Sequence, residues 1–417
     1  MRTRLGDYFT LQRGTTYKSR LLGESGPVLL GLSTIQRNGG FRTDSLRTYG
    51  GGSPDKLLVR PGELYVSLKD VTQAGDLLGA VARLPHEHPV GRLTQDTVKL
   101  VPRGVGVPLD YLYWLLRTPQ YRSYCRSHAT GTTNLGLARE DFLAFPVPDP
   151  NPMQVRIVET LGALDDKIEL NRRMSETLEE MARALFRSWF VDFDPVRAKA
   201  EGRPSGLPPD LDALFPASFE ASELGEIPAG WEVKALGNIA DERRQAVSPE
   251  AMNPDMPYIG LDHMPRRSIA LSEWGNAGGL VSNKSRFEQG DILFGKLRPY
   301  FHKVGVAPVV GVCSTDIVVL SPKSPEWFGF VLGHASSDDF VNYTDAVSTG
   351  TRMPRTKWKD MARYSVSVPN RAVVVAFNEC ARGWVSWISE AIHESGALAS
   401  QRDLLLPQLV EGLGLNG

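Results

Sequence analysis

Apolar positions along the chain follow two patterns, and each pattern occurs twice. The first is a short run of strand length behind a turn. Leu64–Leu68 follows Pro61-Gly62, and Ile292–Phe294 follows Gln289-Gly290. The β-branched stretches Asp96–Val101 and Ile317–Leu320 are further strands. One short helix is expected near Leu109–Leu116 and another near Trp327–His334. The second pattern is helical. Val155, Val158, Leu161, Leu164, Ile168, Leu170, Met174, Leu178, Met181, Leu185 and Trp189 recur at three- and four-residue steps, and Pro195 stops them. Val373, Phe377, Ala381, Trp384, Ile388, Ile392, Leu398, Leu405 and Leu409 repeat the step, weakened locally by Gly396 and Pro407.

The repetition extends to short motifs. Leu5-Gly6-Asp7-Tyr8 recurs as Leu236-Gly237-Asn238-Ile239, and Thr130-Gly131-Thr132 as Thr349-Gly350-Thr351. Phe145-Pro146-Val147-Pro148 recurs as Val366-Ser367-Val368-Pro369. Their common order points to two copies of one domain. An α+β fold is expected, with two similar mostly-β domains separated by two long antiparallel helices. A helix of about 40 residues is roughly 60 Å long. Its apolar stripe needs a partner, and the other helix is the obvious one, giving a coiled-coil rod with pseudo-two-fold symmetry. The expected boundaries are domain one at 1–150, a central helix at 151–199 and an acidic Pro/Gly-rich linker at 200–232. Domain two follows at 233–369 and a C-terminal helix at 370–412.

A length of 417 residues suits two or three domains, and 41% apolar with 23% charged residues is a soluble, globular composition. No apolar run is long enough to span a membrane, and the first residues do not resemble a signal peptide. Three scattered cysteines argue against a disulfide framework and fit a reducing cytoplasm. The net charge of −1 taken alone argues against nucleic acid, but the charge is uneven. Residues 1–150 carry 19 Lys and Arg against 13 Asp and Glu; residues 200–232 carry 1 against 7. A basic domain is therefore hidden by an acidic segment.

Catalytic signatures are missing. There is no phosphate-binding GxxxxGK[ST], no GxGxxG opening a helix, no HExxH and no GxSxG. His86-Glu87-His88 sits between Pro85 and Pro89 and reads as a solvated loop, not a metal site. Glu63 and Asp291 read as turn residues before a strand, not as nuclease carboxylates. No catalytic and no metal-binding residue is assigned.

Binding suits what remains. A duplicated domain can grip a long regular ligand at two places, and duplex DNA is such a ligand. The candidate DNA-binding residues of the first copy are Arg37, Asn38, Arg42, Arg47, Lys69, Thr132, Thr133 and Asn134. Those of the second are Arg266, Arg267, Lys296, Arg298, Tyr300, Thr351 and Arg352. Arginine can bond guanine in a bidentate manner, asparagine adenine, and threonine bases or phosphates. Any single one could equally be ordinary solvated surface. Lys69, Lys296 and Arg298 stand out because they recur beside equivalent strand ends. Framework residues repeat while loops differ, so two copies would read two different sequences.

At this point the chain resembles the specificity subunits of type I restriction-modification systems. The resemblance rests on Ala184–Val196, with Arg187-Ser188-Trp189-Phe190-Val191-Asp192-Phe193, and on Ser222–Trp231. It rests also on Gly290-Asp291-Ile292-Leu293-Phe294 and on Arg402–Leu409. It implies two target-recognition domains, each reading one half of a split asymmetric DNA site. The partners implied are double-stranded DNA, two modification subunits that bind S-adenosylmethionine and methylate adenine, and two restriction subunits that use ATP and Mg. This chain itself would hold no cofactor and catalyse nothing. Phe186, Trp189, Phe190 and Phe193 are too apolar for solvent and are expected to contact a modification subunit, with coiled-coil burial as the alternative. Rival readings are an orphan module serving only a methyltransferase or another phage-defence system, a self-contained nuclease or methyltransferase, and a scaffold without a DNA role.

Overall fold

The computed structural model describes residues 3–43, 46–104, 108–132 and 134–411. The chain forms two compact units. One comprises Met1–Lys167 with Ala397–Gly417, the other Ile168–Gly396.

In the first unit, four antiparallel strands lie in the order Phe9–Arg13, Thr97–Pro102, Leu64–Ser67, Val81–Arg83. Val66 stands opposite Val98. A second small sheet pairs Val28–Leu30 parallel with Gly91–Leu93, which pairs antiparallel with Leu58–Val59. Helices Leu109–Leu115 and Pro119–Ser127 follow, the latter capped by the Thr118 hydroxyl, which accepts from Tyr121 N.

The second unit repeats this arrangement. Its four strands run Ala240–Glu242, Ile317–Pro322, Ile292–Gly295, Val304–Val306, with Phe294 opposite Val318. Pro257–Ile259 pairs parallel with Gly311–Cys313, which pairs antiparallel with Lys284–Phe287. Helices Phe328–Ala335 and Asp338–Ala346 follow, the latter capped by Ser337. Identical strand order through two divergent sequences is the strongest structural sign of duplication.

Two long helices, Pro152–Phe190 and Arg371–Leu405, carry the three- and four-residue apolar steps. Gly162 and Gly396 both lie within them without a break. The helices run antiparallel wherever they meet. In the first unit, Gln154 Nε2 donates to Leu409 O (2.8 Å), and Asp165 accepts from Arg402 (3.0 Å). In the second, Asn171 Nδ2 donates to Glu394 (2.7 Å), and Phe190 packs on Phe377 with ring centres 4.9 Å apart. Pro407 turns the last residues into a 3-10 segment, Leu406–Val410.

Two expectations change here. Residues 200–232 are not a bare linker. They contain the helical turn Pro209–Asp212 and the hairpin of Phe219–Ser222 with Gly225–Pro228. Phe215, Ile227 and Trp231 are buried in the second unit's core, and Lys199 Nζ caps the carbonyls of Asp212 and Phe215 at 2.8 Å. Three apolar anchors outweigh the polar composition that suggested a tether.

The aromatic end of the first long helix is also not an open docking patch. Phe186, Trp189 and Phe190 are 5%, 2% and 4% exposed, within the core that holds Phe330 and Phe377. Phe193 adopts left-handed backbone (φ 55°) and lays its half-buried ring on Trp231. These rings bury themselves against their own domain because the helix ends against it. Phe186, Trp189 and Phe190 leave almost no surface for another subunit, and Phe193 only part of its ring.

Among the described residues no helix is long and apolar enough to cross a membrane. Also among them, no group of three or more His, Cys, Asp or Glu side chains converges on a metal-sized site. Cys125, Cys313 and Cys380 are free thiols.

His334 lies in the same aromatic core, beside Phe186, Phe330 and Tyr364. Burial drives its pKa down to about 3. The unfolded chain binds this proton below about pH 6.5 and the folded chain does not, so stability falls as pH drops below that value. The loss is up to about 1.4 kcal/mol per pH unit. Urea unfolding at pH 7 and pH 5 should show this slope, and His334→Leu should flatten it. Phe190→Ala should remove about 3–5 kcal/mol from the same transition, whereas a ring serving only a partner would leave it unmoved.

Candidate nucleic-acid interface

Each copy gathers three loops at one edge of its sheet. In the first, these are the turn at 36–40, the loop at 70–78 and the hairpin of Ala129–Thr130 with Leu135–Leu137. Asn38 is left-handed (φ 62°), and its N–H donates to Asp76 O at 2.9 Å. Gly39 packs so closely on Arg117 that a Cβ would lie 2.9 Å from its side chain.

The loop at 70–78 is fixed by two buried charges. Asp70 accepts from Thr72 N (2.8 Å), Thr72 Oγ1 (2.9 Å) and Leu77 N (2.8 Å). Burial alone would raise its pKa, but those hydrogen bonds, with the Arg122 charge, hold it below the usual carboxylate range. Arg122, 3% exposed, donates to the carbonyls of Leu78 (2.7 Å), Gly75 (2.9 Å) and Asp76 (2.8 Å). Lys69 and Asp70 pair with Leu135 and Gly136 of the hairpin, and Gln73 Nε2 donates to Thr132 O (3.2 Å).

Arg37, Asn38, Lys69, Thr132 and Asn134 are all exposed on these loops. Lys69 is also paired with Asp96 at 3.2 Å. Such an exposed pair is weak enough to reopen for a phosphate. Arg42 is exposed just beyond the turn, its N–H on Thr34 O. Arg47 lies instead beside the smaller sheet, where its carbonyl accepts from Leu29 N (2.8 Å). Thr133 lies outside the described residues.

The second copy builds the same edge with other side chains. Arg267 is left-handed (φ 57°), and its N–H donates to His302 O at 2.9 Å, as Asn38 does to Asp76. Arg298 is left-handed too; its N–H donates to Pro354 O (2.8 Å) and its Nη2 to Arg352 O (3.2 Å). Thr356 N donates to Lys296 O (3.1 Å), and Leu297 bridges Arg355. Lys296, Arg298, Tyr300, Thr351 and Arg352 are thereby brought to one loop cluster. Arg266 joins it by lying over the Phe301 ring.

Arg267 is a different case. Its guanidinium is engaged by Asp338 at 2.9 Å, a contact that holds the Asp338 carboxyl below its usual range. Its backbone fastens the turn, while its exposed side chain is paired much as Lys69 is with Asp96. The first long helix supports this turn from below. Glu179, 4% exposed, accepts from Ser268 Oγ (2.7 Å), Ile269 N (3.0 Å) and Ala270 N (3.3 Å), and burial keeps its pKa raised.

Sequence reasoning missed the buried fasteners Asp70, Arg122 and Glu179 and the ring of Phe301. A lone arginine within a helical pattern gives no sign that it points inward. The pairing Tyr300-Phe301 beside Arg298 was a signal that went unread.

No family-wide sequence profile matches the chain. It is similar to the type I restriction enzyme MjaIX specificity subunit of Methanocaldococcus jannaschii, with 25% identity over 325 residues, 75% of this chain and 70% of that protein. It is similar to the HindI specificity subunit of Haemophilus influenzae, with 26% identity over 360 residues, 73% of this chain and 77% of that protein. Its fold matches the crystal structure of the type I restriction-modification S subunit of M. genitalium at a TM-score of 0.56 and 16% identity, covering 98% of this chain and 95% of the other. With its duplicated loop edge and paired long helices, the chain is similar in sequence and in fold to the specificity subunits of type I restriction-modification systems.

Proposed function

We propose that the chain reads a split, asymmetric DNA site, one half by each copy, and directs adenine methylation and cleavage carried out by partner subunits. One observation carries this reading. The same three-loop edge is built twice on the same sheet order, with different side chains at the tips. Two equal edges would suit a symmetric ligand; two unequal edges suit a site with different halves.

The chain acts in this reading without chemistry of its own. S-adenosylmethionine, ATP and Mg belong to the partners: two modification subunits and, in the cleaving complex, two restriction subunits. A cytoplasmic location follows from that role. Because the aromatic helix end is buried, the modification subunits need another surface. Leu170 and Met181 are 52% and 50% exposed, and their spacing of about three turns puts them on one face of the first long helix. Trp387 on the second is 59% exposed. Exposed large apolar groups of this kind mark interfaces.

Single-molecule methylation mapping of the native genome, with and without this gene, tests the reading. One split adenine-methylated motif should vanish on deletion, and exchange of residues 1–150 should alter only one half of it. An unchanged methylome refutes the role. For the partner surface, Trp387→Ala should weaken co-purification of the modification subunits at least tenfold while the melting temperature of the isolated chain stays put. Equal recovery of partners would place the interface elsewhere.

A further inference from the structure

The arginines at the edge of the second copy differ in what holds them. Arg267 is paired with Asp338 at 2.9 Å, and Arg355 with Asp316 at 2.9 Å. Arg298 gives one N–H to Arg352 O at 3.2 Å. The guanidinium groups of Arg352 and Arg266 have no ion pair and no hydrogen bond among the described residues, but Arg266 has a ring beneath it. Its central carbon lies 4.2 Å from the centre of the Phe301 ring.

That contact has a specific chemical consequence. A guanidinium paired with a carboxylate must give up that pair before its engaged N–H donors can meet a base. One held over a ring is held without a hydrogen bond, so its five N–H groups stay free. Phe301 is itself well placed to act as a shelf. It is half-buried, the edge of Tyr300 packs on it with ring centres 4.8 Å apart, and Arg298 approaches it at 5.9 Å. The turn beneath Arg266 is fixed by the Arg267 N–H on His302 O, so backbone and side chain are both set before any ligand arrives.

Two free, parallel N–H groups in a fixed direction match the O6 and N7 of guanine in the major groove. A phosphate contact needs no such pre-setting, and Lys296 and Arg352 stand nearby for that purpose. We propose that Arg266 reads a guanine in the half-site of the second copy, and that Phe301 is its positioning residue, touching no base itself. This inference rests on the DNA-reading function above.

The test is methylation mapping in the native strain carrying the full-length chain as wild type, Arg266→Lys, Phe301→Leu or Phe301→Tyr. The wild-type motif should hold a G·C pair in one half. Arg266→Lys should relax that single position, lowering discrimination roughly ten- to a hundredfold, and leave the other half-site unchanged. Arg266 is exposed, so this variant does not disturb the core. Phe301→Leu, which keeps apolar bulk but loses the ring face, should relax the same position. Phe301→Tyr should restore it. A motif unchanged by Arg266→Lys overturns the proposal, as does loss of all methylation at normal protein level, which would make Arg266 a phosphate anchor. Relaxation by Arg266→Lys but not by Phe301→Leu removes the role of the ring. If the wild-type strain shows no motif that depends on this gene, the DNA-reading function itself fails, a separate outcome.

Discussion

A helix of nearly forty residues with an apolar stripe cannot stand alone in water, and this chain has two of them. Much of each stripe is covered by the other helix running the opposite way and by the β domain at its end. Phe377, near the start of the second helix, meets Phe186, Trp189 and Phe190 at the end of the first. The second copy is inserted between those two meeting ends. The chain must therefore leave and return at one place, and the folded segment at 200–232 forms part of that closure through Phe215 and Trp231. The domain's core and the helix seam are thus one continuous hydrophobic body in that unit, not two parts joined by a tether.

Much of the framework was legible because it depends on periodicity. Ile292–Gly295 and Leu64–Ser67 are buried on both faces, so their apolar runs announce themselves. The long helices were legible for the same reason. The residues at 200–232 were misread because their composition is polar and turn-rich, while three large apolar residues decide where the segment goes. The helix-end aromatics were misread because a sequence shows that Trp189 and Phe190 must be covered but not by what. Only the fold supplies the neighbour.

The recognition edge divides along similar lines. Exposed tips such as Arg37, Lys69, Lys296 and Arg352 could be named from composition and repetition. What holds the tips could not, because Arg122 and Glu179 act from within helices whose outward pattern is unremarked by their charge. A buried arginine that donates to three carbonyls through its two terminal nitrogens, and a buried glutamate that accepts from two N–H groups and a hydroxyl, are tolerable because those hydrogen bonds offset much of the cost of burial. Arg267 shows the converse. It was named for its side chain, which is exposed and pairs with Asp338, but its main-chain N–H on the His302 carbonyl also holds the turn, and no sequence pattern announces that.

The bond from the left-handed residue to the neighbouring loop is made by main-chain atoms in both copies, N–H of Asn38 to the Asp76 carbonyl and N–H of Arg267 to the His302 carbonyl. Main-chain atoms are common to nearly every amino acid. A substitution at the residue just before, Arg37 or Arg266, changes what the turn displays without loosening what anchors it. Mutational drift can therefore explore new ligand preferences at these tips while foldability stays constant. The duplication doubles that freedom, because each copy can diversify without the consent of the other.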